Sequence, residues 1–486
     1  MQRLLTTTLL IFFMSNTLCG QNDFANKLSD NYDKYLEKSI AHQYLKREDI
    51  APIIKKLESN ALFEVSKLGE SVEGRDINLI KCGSGPTTVL LWSQMHGNEP
   101  TATMALMDIF KFLTTDDELN PVRKTILANT TLYFVPMLNP DGAERFERRN
   151  ALDLDLNRDA LRLQSPEANI LKDIRDKIDA DFGFNLHDQS TLYSAGVSAN
   201  QASISFLAPA YNWEKEVNES RGNAMKVIVQ MNKVLQLFIP GKLGKYNDTF
   251  EPRAFGDNIQ KWGTSTILIE TGGYPNDVEK QFLRKMNFIG IVTSLKSIAE
   301  ASYKSENIDD YYAIPDNKRY LYDLIIRNAQ VNFFNKLYTM DIGINRSRRH
   351  EGDNKDTQYS SYIAEFGDMS TFFGYDEFDA TGMIAKPGKA AQENVKLKEK
   401  PLRALHKEGI LAVPAPEDYE SQFTQLPINL YRGEAPEFKV RLGEPANFYL
   451  EKDGKVTAVI VNGFLYPISE KELNIGNGVL IEGKNK

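Results

Sequence analysis

The chain has 486 residues, of which 42% are hydrophobic and 26% charged, with a formal net charge of -8. This is the composition of a water-soluble globular protein long enough for two domains, and the acidic balance excludes a general affinity for nucleic acid or acidic lipid.

The first twenty residues, MQRLLTTTLLIFFMSNTLCG, carry one early arginine, an apolar centre from Leu9 to Met14, and small or neutral residues before Gln21. That layout is a secretory signal peptide, too short for a membrane span. Cleavage near Gly20 and a secreted or periplasmic location are expected. A lipid anchor on Cys19 fits less well, because Leu18 stands where a small residue is wanted. Cleavage would leave Cys82 as the one cysteine and exclude an intramolecular disulfide. Cys82, within INLIKCG, reads as a small buried hydrophobe.

From Gln21 to about Leu68 the pattern is helical, in FANKLSDNYDKYL and again in DIAPIIKKLESN, where Pro52 suits a first turn. This segment is too short for a core of its own. It is therefore not read as an inhibitory pro-domain, and chains with or without it are expected to turn over alike. Short apolar runs follow, INLIKCG, TTVLLWS, TLYFVPML, DFGFNLH and STILIETGG, alternating with helical TATMALMDIFKFLTT, PEANILKDIRDKI and RGNAMKVIVQMNKVLQLF. The alternation predicts an α/β domain, with a mixed, mainly parallel sheet flanked by helices. Ligands of such sheets bind beyond the carboxyl ends of the strands, where His96, Asn139, His187 and Glu270 fall.

Past Tyr303 the character changes to short apolar runs broken by charged loops such as RSRRHEGDNKD, and EKDGK reads as a hairpin turn. The expected division is a leader over 1–20, a catalytic domain over 21–306 and a smaller β-rich accessory domain over 307–486. No internal repeat is present.

His96 and Glu99 stand three apart at a strand-to-helix corner. Taken alone, His96 is a loop histidine and Glu99 a first-turn acid favoured by the helix dipole. A catalytic zinc ion takes three protein ligands, and of the other histidines, His42 lies in a leading helix and His350 and His406 in the second domain. His187 ends a strand of the first.

HGNE, VPMLNPDG, RRNALDLDLNRDA, FNLHDQ and LIETGG, in that order, resemble the zinc carboxypeptidase family, as does the upstream GESVEGRDINLI. The resemblance covers Leu68 to Gly273. It implies one zinc ion on His96, Glu99 and His187. It also implies an Asn157 and Arg158 pair for the substrate's terminal carboxylate, Arg149 at the scissile carbonyl with Arg148 as the competing assignment, and Glu270 as general base. Asn139 to Gly142 reads as a turn that shapes the site, and Asp155 and Asp159 as orienting residues. Asp188 stands where many digestive relatives carry a small hydroxyl residue. Tyr246 is either a surface tyrosine or a hydroxyl over the substrate, and Arg253, Phe255 and Asp257 are the candidates for reading the terminal side chain.

The function implied is an exported carboxypeptidase acting on peptides with a free carboxylate. The alternatives are a zinc amidase or deacylase for N-acyl amino acids or cell-wall peptides, and a non-catalytic peptide-binding module. No nucleic acid, membrane span or protein partner is expected.

Overall fold

A computed structural model describes residues 20–350, 357–393, 399–470 and 476–483. The expected leader, apart from Gly20, lies outside them, as does the core of the charged loop at 351–356. The chain divides into two compact units between Arg319 and Tyr320.

The first unit opens with three helices, α1 over residues 20–30, α2 Tyr32–Tyr35 and α3 Arg47–Glu58. Strands β1 Glu64–Glu70, β2 Asp76–Gly83 and β3 Thr87–Ser93 follow, then α4 Thr101–Thr114, α5 Asn120–Asn129, β4 Thr130–Val135 and α6 Pro140–Arg145. Next come α7 Pro166–Ile178, β5 Phe182–Asp188, the short β6 Ser194–Ala195, β7 Ile204–Leu207, α8 Glu219–Leu235 and β8 Leu243–Lys245. The unit closes with α9 Phe255–Lys261, β9 Ser265–Thr271, α10 Gln281–Glu300, α11 Ile308–Tyr312 and β10 Asn317–Lys318.

Eight of these strands form one sheet in the order β1-β2-β4-β3-β5-β9-β7-β8. The central β4-β3-β5-β9 run is parallel throughout, as is β7-β8, whereas β1-β2, β2-β4 and β7-β9 are antiparallel. Central parallel strands are covered on both faces and so read as continuous apolar runs. In β3, Val89 and Leu91 enter the core that also holds residues of α4, α8 and α10, while Leu90 and Trp92 enter the one shared with α7 and α9. Helix α4 is buried along nearly all its length, which its apolar sequence permits on every side. Helix α7 starts where Pro166 follows Ser165, whose hydroxyl accepts the Ala168 N–H.

Residues 307–319, read from the sequence as the start of the second domain, pack within the first unit. Tyr311 is buried and its oxygen accepts the Ala208 N–H, and β10 pairs with β6.

The N-terminal helices are likewise integral. Arg284 on α10 and Asp108 on α4 form a fully buried ion pair with contacts of 2.5 and 2.7 Å. Remaining polar atoms of the pair are met from the N-terminal segment, by the Tyr32 hydroxyl, the Glu37 N–H, and the carbonyls of Glu37 and Ile40. The N-terminal segment is thus part of the first unit's core, with no boundary that would set it apart as a separate pro-domain.

In the second unit an eight-stranded sheet runs Gln358–Gly367, Lys336–Arg349, Leu321–Phe333, Ile384–Pro387, Phe448–Lys452, Lys455–Val461, Phe464–Pro467, and Phe373–Asp379 pairs parallel with Leu321–Phe333. A smaller five-stranded sheet is built around Ile410–Pro414 and Asn429–Arg432. The EKDGK hairpin forms with Lys452 opposite Lys455, and Asp453 and Gly454 both take positive φ, 50° and 74°, as a two-residue turn of this hand requires.

Asp108→Ala leaves Arg284 charged and buried, so it is expected to cost about 3–5 kcal/mol. Urea unfolding measures this, and deletion of residues 20–45 should lower the unfolding midpoint in the same assay.

Candidate metal centre and catalytic cavity

Strand β3 ends at Ser93, and Gln94, held at φ 49°, turns the chain into the loop that carries His96 and Glu99. This loop presses on α6 so closely that a Cβ on Gly97 would lie 1.9 Å from the Gly142 carbonyl carbon. Glycine is therefore the residue the approach admits. Asn139 fixes the contact from the other side, its Oδ1 accepting the Gly142 N–H while its Nδ2 donates to the Met95 carbonyl. The NPDG segment, read from the sequence as a turn, instead opens α6 with Asn139 as its N-cap, and from there it braces the ligand loop.

His96 Nδ1 lies 2.8 Å from Glu99 Oε1, and His187 Nδ1, brought by β5, lies 2.7 Å from Glu99 Oε2. All three side chains are buried, and one ligand atom from each lies within 4.8 Å of the others. His96 Nε2 sits 3.1 Å from Asp155 Oδ1, so an outer carboxylate orients that ring. His187 Nε2 is buried with no hydrogen-bond partner among the described residues. Two imidazoles and one carboxylate, converging from adjacent strand ends, are the donor set of a catalytic zinc site. The residues fit one such ion.

The electrostatics follow from this crowding. Burial works against the charge of Glu99, but His96 and His187 outweigh it and hold the carboxyl below its usual range. Burial also pulls His187 down. Glu270, opposite His187 in the β5-β9 register, is raised well above a normal glutamate by burial and by repulsion from Glu99 and Asp188. A bound dication acts against that rise.

A cavity of about 350 Å³ opens on this cluster, lined among others by His96, Glu99, Arg148, Asn157, Arg158 and Glu270. Asn157 and Arg158, the expected carboxylate pair, are both in its wall, and Asn157 Oδ1 accepts the Phe255 N–H at the start of α9. Of the two candidate arginines, Arg148 faces the cavity and Arg149 does not. Arg149 turns away, its guanidinium donating to the Asp153 carbonyl at 2.6 Å. Arg148 turns inward, with Nη1 3.2 Å from Glu99 Oε1 and Nη2 3.0 Å from Asp155 Oδ2. Asp155 holds the Arg148 fork and the His96 ring together.

Asp159 accepts the N–H groups of Gln164 and Ser165 and so orients the entry to α7. Tyr246 lines the cavity, with its ring 6.1 Å from that of Tyr193, and burial raises its hydroxyl pKa. Of the side-chain-reading candidates, Arg253 is engaged bidentately by Glu251, Phe255 is fully buried in the core, and Asp257 lines the cavity. Sequence reasoning missed Tyr193, Glu251 and the buried Lys280 behind Asp188. No spacing rule marks any of them.

Residues 53–230 match the family described as zinc carboxypeptidase. His96, Glu99, Arg148, Asn157, Arg158 and His187 lie inside that range and Glu270 beyond it. Carboxypeptidase SOL1 of Arabidopsis thaliana is 25% identical over 211 residues, 36% of this chain and 43% of that protein. Carboxypeptidase Z of Mus musculus is 32% identical over 111 residues, 19% of this chain and 17% of that one. The chain thus spans less than half the length of these curated relatives. A crystal structure of a metallo-carboxypeptidase from Burkholderia cenocepacia aligns with 53% of this chain and 70% of its own, at 19% identity and a TM-score of 0.44.

Asp257 is buried, with Oδ1 accepting the Glu251 N–H, and burial pushes its carboxyl up to about 7. An unfolded aspartate ionises near about 3.9. Between those values the unfolded state binds fewer protons, so stability falls as pH rises, by up to roughly 4 kcal/mol for the full shift. Asp257→Asn is expected to flatten this fall, and thermal midpoints of both proteins from pH 4 to pH 7 measure it.

Proposed function

We propose, from the premise that this chain belongs to the zinc carboxypeptidase family, that it hydrolyses the C-terminal bond of peptides bearing a free carboxylate. The observation that carries the reading is the meeting of His96, Glu99, Arg148, Asn157, Arg158 and Glu270 at one cavity, with His187 bonded to Glu99 behind it.

Each residue has a task that its chemistry suits. The Arg158 guanidinium offers two parallel donors to the substrate carboxylate, with Asn157 beside it. This anchors the chain end so that the last peptide bond lies at the cluster. His96, Glu99 and His187 would hold a zinc ion, which would supply a Lewis acid for the carbonyl and bring water's acidity toward neutrality. Glu270 takes the proton of the attacking water and hands it to the leaving amine nitrogen. Arg148 faces the negative charge that grows on the carbonyl oxygen. Tyr246 and Tyr193 close the wall of the cavity.

The reading extends to export into a secreted or periplasmic setting, which the leader pattern of residues 1–20 supports. Among the described residues no helix is long and apolar enough to cross a membrane.

The test is mass spectrometry of peptides with free and amidated C-termini, incubated with zinc-loaded protein. Single-residue shortening of the free set alone is expected. Glu270→Gln should lower kcat by about 10²–10⁴-fold, and Arg148→Ala by about 10²–10³-fold, while Arg149→Ala stays within about twofold of the parent, as surface changes do. Cleavage confined to N-acyl amino acids would replace this reading with a deacylase. Peptide binding without turnover by a zinc-loaded protein would leave a binding module.

A further inference from the structure

Lys280 is a lysine buried almost completely, with 3% of its surface exposed. Burying an ammonium is costly unless it is paired and hydrogen-bonded, so its contacts indicate what keeps it there. Its Nζ lies 3.0 Å from Asp188 Oδ2 and 3.1 Å from the Thr271 carbonyl. Asp188 and Thr271 are register partners at the ends of β5 and β9, one residue beyond His187 and Glu270. The same Asp188 Oδ2 accepts the hydroxyl of Thr101, the first residue of α4 and two residues past Glu99, at 2.6 Å. The Asp188 N–H in turn donates to Glu99 Oε2 at 3.2 Å.

One buried ammonium therefore joins three segments. The Glu99 corner is held through Thr101 and the Asp188 N–H, the His187 strand through Asp188, and the Glu270 strand through Thr271. Lys280 sits in the left-handed region, at φ 49°, immediately before α10, and its carbonyl accepts the Arg284 N–H of that helix. Its backbone is thus tied to a rigid element.

We infer that Lys280 is a positioning residue, which clamps the β5 and β9 ends and the Glu99 corner so that the metal ligands and Glu270 keep their spacing. It touches no reacting atom in this scheme. The inference rests on the reading of His96, Glu99 and His187 as a zinc site, and its consequence for turnover rests on the proposed activity.

Lys280→Met, and the double variant Asp188→Asn with Lys280→Met, test it by two readouts on the full chain. Chelator competition gives zinc affinity, and steady-state kinetics give kcat and KM on a C-terminally free peptide. Partners behind metal ligands typically carry about 10–100-fold in affinity or activity. Zinc affinity is expected to fall by about that factor in Lys280→Met, and kcat at saturating zinc to fall with KM within about twofold. A merely structural lysine would lower thermal stability without this split.

The double variant separates clamping from simple charge neutralisation, because it removes both charges together. Continued weakness of zinc binding in the double variant supports the clamp. Parent-like affinity in Lys280→Met, or its restoration by the added Asp188→Asn, overturns it. If Lys280→Met fails to fold, the neutral double variant decides by the same affinity measurement. A parent protein that binds zinc yet cleaves nothing would sink the proposed activity while the affinity comparison still judged the clamp.

Discussion

Glu99 has an imidazole nitrogen on each of its two oxygens, and the rest of the first unit is arranged to make that contact possible. His96 and Glu99 follow β3, and His187 ends β5, so both strands must be parallel neighbours whose ends lie level. They are, with Ser93 opposite Leu186. Strand β9 then continues the register on the far side of β5 and sets Glu270 beside His187. A one-residue slip in any of these pairings would turn a ligand or Glu270 to the other face of the sheet. The apolar layers above and below β3, β5 and β9 hold that register, and this is where fold and chemistry meet.

Buried cations recur in this unit at junctions between segments distant in sequence. Arg284 joins α10 to Asp108 and the N-terminal carbonyls, and Lys280 joins the ends of β5 and β9. Arg221 on α8 meets Asp248 at 2.9 Å and the carbonyls of Ala208, Lys215 and Glu216, and so anchors the segment that carries Tyr246. A buried ion pair is seldom more stabilising than a well-packed apolar equivalent. What such a cation adds is direction, since several backbone carbonyls converge on one point and each tolerates little displacement. Each of the three ties together segments that are distant in sequence, so geometry, more than net stability, is what they supply.

The central strands and the α4, α7 and α8 helices were legible because burial on both faces writes long apolar runs and helical spacing into the chain. The short or exposed strands toward the sheet's two sides were not. In β1, EVSKLGE has no buried residue and alternates no clear apolar face, and β7 and β8 span four and three residues. The metal ligands could be read because their types are rare and their positions follow strands. The choice between Arg148 and Arg149 could not, since adjacent residues on an irregular loop face different ways for reasons of local folding. Asp153, held at φ 60°, lets the 150–154 turn double back so that its carbonyl captures Arg149 and leaves Arg148 to the cavity.

The same local accounting explains how the Arg158 guanidinium keeps open donors despite a glutamate nearby. Glu251 lines the cavity, but its two oxygens are taken by Arg253 at 3.0 Å each, while Arg158 Nε stands 3.6 Å away. Arg158 Nη1 donates to the Asn157 carbonyl, which steadies the side chain along the wall. A carboxylate already paired with one guanidinium attracts a second less strongly, so Glu251 orients Arg158 without saturating its fork. Arg253, which lies on the surface, thereby acts on the site by occupying its competitor. The Arg158 guanidinium is left partly aligned and short of its full set of acceptors, and on the proposed reading that is the condition in which bidentate pairing with a substrate carboxylate gives both strength and direction.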